Sequence, residues 1–205
     1  MRRWCVAFAL AGLFALPLVA RAADSPSEYS KLLARLKSGN TDIDYTRLRL
    51  SYPDSPERKA AKDVSGPEKG MWDALEARNF SEAVKQVEMV LASEYVNIDA
   101  HFVALVANRE LGAKQDAEFH QAIFRGLIQS ILQSGDGESM GTAWVMIDVH
   151  EEYVILRVLG YGLPEQSLVQ KDGHSYDVLK SKSNKDGTER TFYFNVDIPF
   201  KHYGV

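Results

Sequence analysis

The chain has 205 residues, 45% of them hydrophobic and 25% charged, with a formal net charge of -4. That balance suits an ordinary globular protein and excludes a disordered one. A mildly acidic chain without a basic stripe is a poor ligand for nucleic acid and for anionic membranes, so neither is expected as a partner.

The first segment is an address rather than a fold. Met1-Arg2-Arg3 precedes an apolar run from Trp4 to Val19, and Ala20-Arg21-Ala22 supplies the small residues of a cleavage site. This is the layout of a secretory signal peptide, and the run is shorter than the roughly 18–20 residues of a spanning helix. Cleavage is expected after Ala22, giving a periplasmic or secreted protein without a membrane anchor. Cys5, the sole cysteine, falls inside this segment. The mature chain is therefore expected to have no disulfide and no thiol chemistry.

Helical signals dominate the next hundred residues. Ser25-Pro26-Ser27-Glu28 reads as a capping box with proline at the first helical position, followed by Tyr29, Leu32, Leu33 and Leu36 on one face. A short helix is expected over Asp44–Tyr52, ended by Pro53 and Pro56. Ser65-Gly66-Pro67-Glu68 reads as a second box, opening a helix that buries Trp72 and Leu75. Further helices are expected from near Ser81, from near Asn97 to Leu111-Gly112, and from Lys114 to Gln133. The stretch from Trp72 to Phe119 resembles tetratricopeptide-type helical hairpins. The likeness is carried by Trp72-Asp73-Ala74-Leu75, Asn79-Phe80-Ser81-Glu82-Ala83, Asp99-Ala100-His101-Phe102 and Glu110-Leu111-Gly112. It covers at most one and a half repeats, fewer than the about three a free-standing solenoid needs.

At Gly135-Asp136-Gly137 the rhythm changes from a period of 3.6 to a period of 2. Strands are expected at Ala143–Val149, Ser167–Gln170, Ser175–Lys182 and Thr188–Val196, the last ended by Pro199. Turns at Lys171-Asp172-Gly173 and Asn184-Lys185-Asp186-Gly187 join them. A helix is expected over His150–Leu159, with Tyr153, Leu156 and Leu159 inward. The sequence thus predicts an α+β protein in three parts. Residues 1–22 form a signal peptide and residues 23–135 a helical lobe. Residues 136–205 form a small antiparallel sheet lobe with one packed helix.

Chemistry is sparse. His101 and His120 have no second ligand one helical turn away, so no helical metal pair is present. The sheet lobe offers His150, His174 and Asp177, with Asp148 beside them, as a weak catalytic or metal-binding set. The competing reading makes Asp148 a helix cap and gives Glu151 and Glu152 to the positive helix end. Arg47 and Arg49 would form a guanidinium pair on the second helix, able to hold a carboxylate or other anion, or else two surface salt bridges. Trp144, Tyr153 and Phe192 could line a ligand cavity, or simply be core. There is no nucleophile elbow, phosphate loop or metal motif, so no metal site and no cofactor are expected.

Several segments resemble one family. These are Asp44 to Tyr52, Gly141-Thr142-Ala143-Trp144-Val145, Glu151-Glu152-Tyr153, Gln166-Ser167-Leu168-Val169, Gly173-His174-Ser175-Tyr176-Asp177-Val178 and Tyr193-Phe194-Asn195-Val196-Asp197. Together they are similar to a bacterial exported family catalogued as domain of unknown function number 4919, from about Tyr29 to Phe200. The resemblance implies a class and a location but no reaction. It draws attention to Tyr176, Asn195 and Asp197, beside His174 and Asp177, as a binding face or a hydrogen-bond network. The reading that follows is an exported interaction module with an envelope protein partner. The alternative is a hydrolase or metal-dependent enzyme with its site in the sheet lobe.

Overall fold

A computed structural model describes residues 25–203. The apolar run, Cys5 and the expected cleavage point lie outside the described residues. Within them the protein is α+β. Seven helices come first: α1 (Glu28–Lys37), α2 (Tyr45–Ser51), α3 (Pro56–Lys59), α4 (Ser65–Glu76), α5 (Phe80–Ser93), α6 (Ile98–Glu110) and α7 (Lys114–Leu132). Then follow β1 (Trp144–Val145), α8 (His150–Leu159), β2 (Glu165–Lys171), β3 (His174–Lys182), β4 (Glu189–Asn195) and α9 (Asp197–Tyr203). No helix among the described residues is long and apolar enough to cross a membrane.

Helix ends differ in detail from expectation. Ser27, not Ser25, caps α1 by accepting from Ser30 N–H, and Pro26 stays outside the helix. Ser65 lies inside α4, which has no side-chain cap. Its N–H donates to Asp63 Oδ1, while Glu68 reaches across to accept from Asn97 Nδ2 at 2.7 Å. Consequently α4 is turned so that Met71 and Ala74 are buried, with Trp72 and Leu75 only partly covered.

The sheet has the order β1-β4-β3-β2. β2, β3 and β4 are antiparallel as expected, but β1 runs parallel to β4 through Trp144↔Phe194 and Val145↔Asn195. The strand expected over Ala143–Val149 stops at Val145 because the Ile147 N–H is taken by Glu151 Oε2, not by a neighbouring strand. The β2–β3 hairpin turns on Asp172 and Gly173, both with positive φ, the backbone of a tight two-residue loop. Pro199 does not end a strand. It sits in the first turn of α9, where a missing N–H costs no helical hydrogen bond. In α8 the buried face is Glu151, Glu152, Val154, Ile155 and Leu156, and Leu159 is exposed.

Two apolar clusters hold the chain together. One joins α4, α5 and α6 through Met71, Ala83, Val87, Val90, Ala100 and Val103. The larger runs from the first helices into the sheet, with Tyr29, Leu36, Leu48, Ile123 and Leu127 packed with Met146, Ile155, Phe192 and Phe194. Trp144 belongs to it, stacked on Phe192 at 6.1 Å with its Nε1–H donated to Gly135 O. Gly137 makes room for this indole: it has φ +69, and a Cβ there would lie 2.5 Å from the ring. Trp144 and Phe192 are therefore core, with no ligand space between them.

Candidate functional site

The residues singled out in the sheet lobe divide among three places. His174, Asn195 and Asp197 meet where β3 starts and β4 passes into α9. His174 Nδ1 lies 2.6 Å from Asp197 Oδ2, Asn195 Nδ2 donates to the same oxygen, and Ser175 N–H donates to Asp197 Oδ1 at 2.7 Å. Partial burial works to raise the Asp197 carboxyl, but these donors outweigh it and hold it below the usual carboxylate range. Tyr176 stands opposite Asn195 in the register and its ring approaches that of His174 at 6.3 Å. Both nitrogens of His174 cannot bond Asp197, so Nε2 is turned away on a side chain that is 55% exposed.

Asp177 points to the other face of β3, toward α8. It accepts from Gln166 Nε2 at 2.8 Å, and Tyr153 O–H donates to Gln166 Oε1. Glu152 is fully buried beside it. No N–H or O–H donor of the described residues reaches either Glu152 oxygen, whereas a protonated Glu152 can donate its own hydroxyl to Asp177. Burial, together with the negative charge of Asp177, pushes the Glu152 carboxyl up to about 9. At neutral pH Glu152 is thus a neutral acid next to Asp177, and its proton resolves a charge conflict that two buried carboxylates could not sustain.

His150 goes elsewhere again. Its Nε2 bonds Asp99 Oδ2 at 2.8 Å, and Arg157 holds the other oxygen of the same, nearly buried carboxylate. The hydrogen bond that His150 donates to Asp99 raises the imidazole above its ordinary value against the opposing effect of burial. The cavity beside His150, lined by Arg58, Glu94, Asp148 and Glu151 among others, has only about 50 Å³. That is room for a water or two and not for a substrate. His150, His174 and Asp177 do not converge, since each is committed to a different partner. Arg47 and Arg49 are also separated. Arg47 forms an exposed bridge to Glu28, and Arg49 is buried against Glu151. Among the described residues no three His, Cys, Asp or Glu side chains gather as a metal would require.

Among the described residues two concavities of more than 400 Å³ lie in the helical half, one of them of about 480 Å³ and lined by Glu57, Lys62, Asp63, Val64, Pro67 and Met89 among others. The other, a groove of about 430 Å³, runs between α5, α6 and α7, with Lys37 of α1 and Tyr95 also in its lining. Val84, Val87, Leu91, Ala104 and Phe119 give it apolar walls, and Glu88, Asn108, Asp116 and His120 give it polar points. Lys37 Nζ sits 5.5 Å above the Tyr95 ring. Behind Tyr95 lies a histidine pair. His101 Nε2 is 2.9 Å from Tyr95 O and His101 Nδ1 is 2.9 Å from His120 Nδ1. His101 is wholly buried, and burial with the neighbouring His120 lowers it to about 3. It is therefore neutral, donates from Nε2–H to Tyr95 O, and accepts at Nδ1 from His120 Nδ1–H. Burial also lowers His120, against a smaller opposing effect of Asp116.

Asn108 is the groove residue that sequence reasoning passed over. It is 7% exposed, and among the described residues its side-chain amide makes no hydrogen bond. The signal was available. Asn108 lies one turn after Ala104 and next to Ala107, on the small-residue face that lets α6 pack closely, where a bulky amide serves no packing purpose.

A family model described as a domain of unknown function, DUF4919, matches residues 19–204. The chain belongs to this family. The matched span of the DUF4919 protein takes in both the groove and the His174–Asp197 corner. No curated protein and no solved structure matches it.

Proposed function

We propose that this DUF4919 protein is an exported protein-interaction module of the bacterial envelope or exterior. Its α5–α6–α7 groove holds an extended segment of an envelope protein partner. The observation that carries this reading is Asn108. A primary amide offers one donor and one acceptor side by side, which matches the C=O and N–H of a peptide backbone independent of its side chains. The Asn108 amide opens onto the groove rather than being sealed from solvent, so its polar atoms stand ready for such a backbone. The apolar walls take the segment's side chains, and Lys37 in the lining supplies a cation. The signal-peptide pattern and the tetratricopeptide-like hairpins point the same way.

The test begins with a pull-down from envelope extract under mild crosslinking, followed by titration of the captured partner's segment. Val84→Arg fills the groove from a partly exposed position, and Asn108→Ala removes the amide. Both are expected to weaken binding at least tenfold while far-UV circular dichroism stays unchanged. Capture of no specific partner, or equal binding by both variants, overturns the reading.

One observation favours a second reading, a hydrolase acting through the sheet lobe. The His174–Asp197 pair is a carboxylate-oriented imidazole with its outer nitrogen in solvent, the arrangement of a general base. Turnover of an ester, peptide or glycan that is lost in His174→Ala would establish it. Absence of turnover across that panel would end it.

A further inference from the structure

β2 is the free edge of the sheet. It is seven residues long, contains no proline, and is exposed along its length except for the half-buried Val169. Such an edge presents unpaired N–H and C=O groups, and proteins ordinarily shorten, cover or charge it. Here the strand is long, Leu168 on it is 50% exposed and Leu163 just before it is 93% exposed.

The backbone direction follows from an observed bond. Ser175 O accepts from Val196 N–H, so Ser175 faces β4 and Tyr176 faces β2. Tyr176 is paired with Val169, which makes Val169 and its alternates Glu165, Ser167 and Lys171 the residues that bond β3. Gln166, Leu168 and Gln170 therefore turn their N–H and C=O groups outward.

The sequence of this strand, Glu165-Gln166-Ser167-Leu168-Val169-Gln170-Lys171, is complementary to itself when reversed. Laid antiparallel on a second copy about an axis through Leu168, Leu168 meets Leu168 and Gln166 meets Gln170. Those are the outward-facing residues, so the register forms hydrogen-bonded pairs at each of them. Glu165 then meets Lys171 at both ends, on the opposite face of the sheet and at the closer, non-hydrogen-bonded spacing. A shift by two residues in either direction breaks the charge match.

We infer that β2 is a homodimerisation edge, pairing antiparallel with β2 of a second copy in the register centred on Leu168. The two sheets join into one, with the exposed leucine packed on its symmetry mate across the axis. The association closes as a pair and does not propagate, because the opposite edge is β1, only two residues long. This edge shares no residue with the groove, so the inference stands apart from the proposed partner.

Sedimentation of the full chain over a concentration series tests it, with amide exchange as a structural readout. The dimer is expected to form with rising concentration and to slow exchange at the Gln166, Leu168 and Gln170 amides. Glu165→Lys and Lys171→Glu each place like charges opposite one another twice, and each is expected to weaken the dimer about tenfold. The double exchange restores the match and is expected to return the dimer to near its original strength. Leu168→Pro removes an outward N–H without touching the β3 ladder and is expected to yield a folded monomer. A monomer at all concentrations, or a dimer indifferent to the charge exchange, overturns the inference.

Discussion

Arg49 Nη1 lies 2.8 Å from Glu151 Oε2, with the two side chains 0% and 7% exposed. Arg49 also donates from Nε to Ser130 Oγ and from Nη2 to Val145 O. One guanidinium thus ties α2 to α7, β1 and α8, and Glu151 in turn ends β1 by taking the Ile147 N–H. Burial raises the Glu151 carboxyl, while Arg49 and that N–H work to lower it. Removing one member of a buried pair costs about 3–5 kcal/mol, because the other charge stays behind. Arg49→Met is expected to lose that much in urea unfolding. Arg49→Met combined with Glu151→Gln is expected to recover a large part, since Gln keeps the Ile147 bond and carries no charge. A loss below about 1 kcal/mol in the single variant would mean the pair adds nothing to stability.

Glu152 predicts an unusual alkaline slope. Its folded carboxyl is raised to about 9 from an ordinary 4.5. Between those values the folded state holds a proton that the unfolded chain has released. Stability conferred this way is complete below pH 4.5 and is lost as the pH climbs toward 9, by at most about 1.4 kcal/mol per pH unit. Glu152→Gln removes the titration. Thermal unfolding of the variant is expected to be flatter than wild type between pH 6.5 and 9, and the variant to be the more stable at the alkaline end. Parallel curves would mean that Glu152 is ionised in the fold.

Gly126 sets packing against helix propensity. It lies inside α7, where alanine would ordinarily gain about 1 kcal/mol. A Cβ there would fall 2.3 Å from the Tyr45 ring. That ring is tethered by its O–H to Thr41 O, so it cannot swing away without breaking a bond. Overpacking of this kind costs about 1–3 kcal/mol. Gly126→Ala is expected to be net destabilising, with a lower midpoint of thermal unfolding. A rise in the midpoint would show that Tyr45 yields freely.

Much of this architecture was legible in the residues. The 3.6 rhythm located α5, α6, α7 and α8 to within about two residues, and Asp172-Gly173 marked the hairpin. The partners of the buried polar residues were not, because Arg49 and Glu151 are 102 residues apart and no local pattern encodes a contact of that range. That they were buried was readable. Arg49 is one turn after Tyr45 and adjacent to Leu48, on the inward side of α2. Glu151 and Glu152 precede Val154, Ile155 and Leu156 by a single turn, on the inward side of α8. Pairing Arg49 with Arg47 on the surface, and reading Glu151 and Glu152 only as helix-end charges, followed composition where position was the better guide. His174 and Asp177 do not meet for a related reason. His174 and Asp177 are three residues apart on a strand, and an odd offset puts them on opposite faces.

The histidine pair gives the fold an acid limit that can be separated from the effect of Glu152. His101 is lowered to about 3 from an ordinary 6.5 by burial and by His120. Below pH 6.5 the unfolded chain gains a proton that the folded state refuses. The stability is therefore complete above 6.5 and is lost as the pH falls toward 3. Between pH 4.5 and 6.5 this slope opposes that of Glu152, so wild type changes little there and the two variants diverge. His101→Gln keeps a donor for Tyr95 O and an acceptor for His120, and removes the titration. It is expected to hold its stability down to pH 4.5, and wild type in a Glu152→Gln background to lose it steeply over the same range. Because Tyr95 and His120 line the groove, acid loss of this pair is also expected to loosen binding there. Equal acid slopes with and without His101 would mean that the imidazole pair opens to solvent before it titrates.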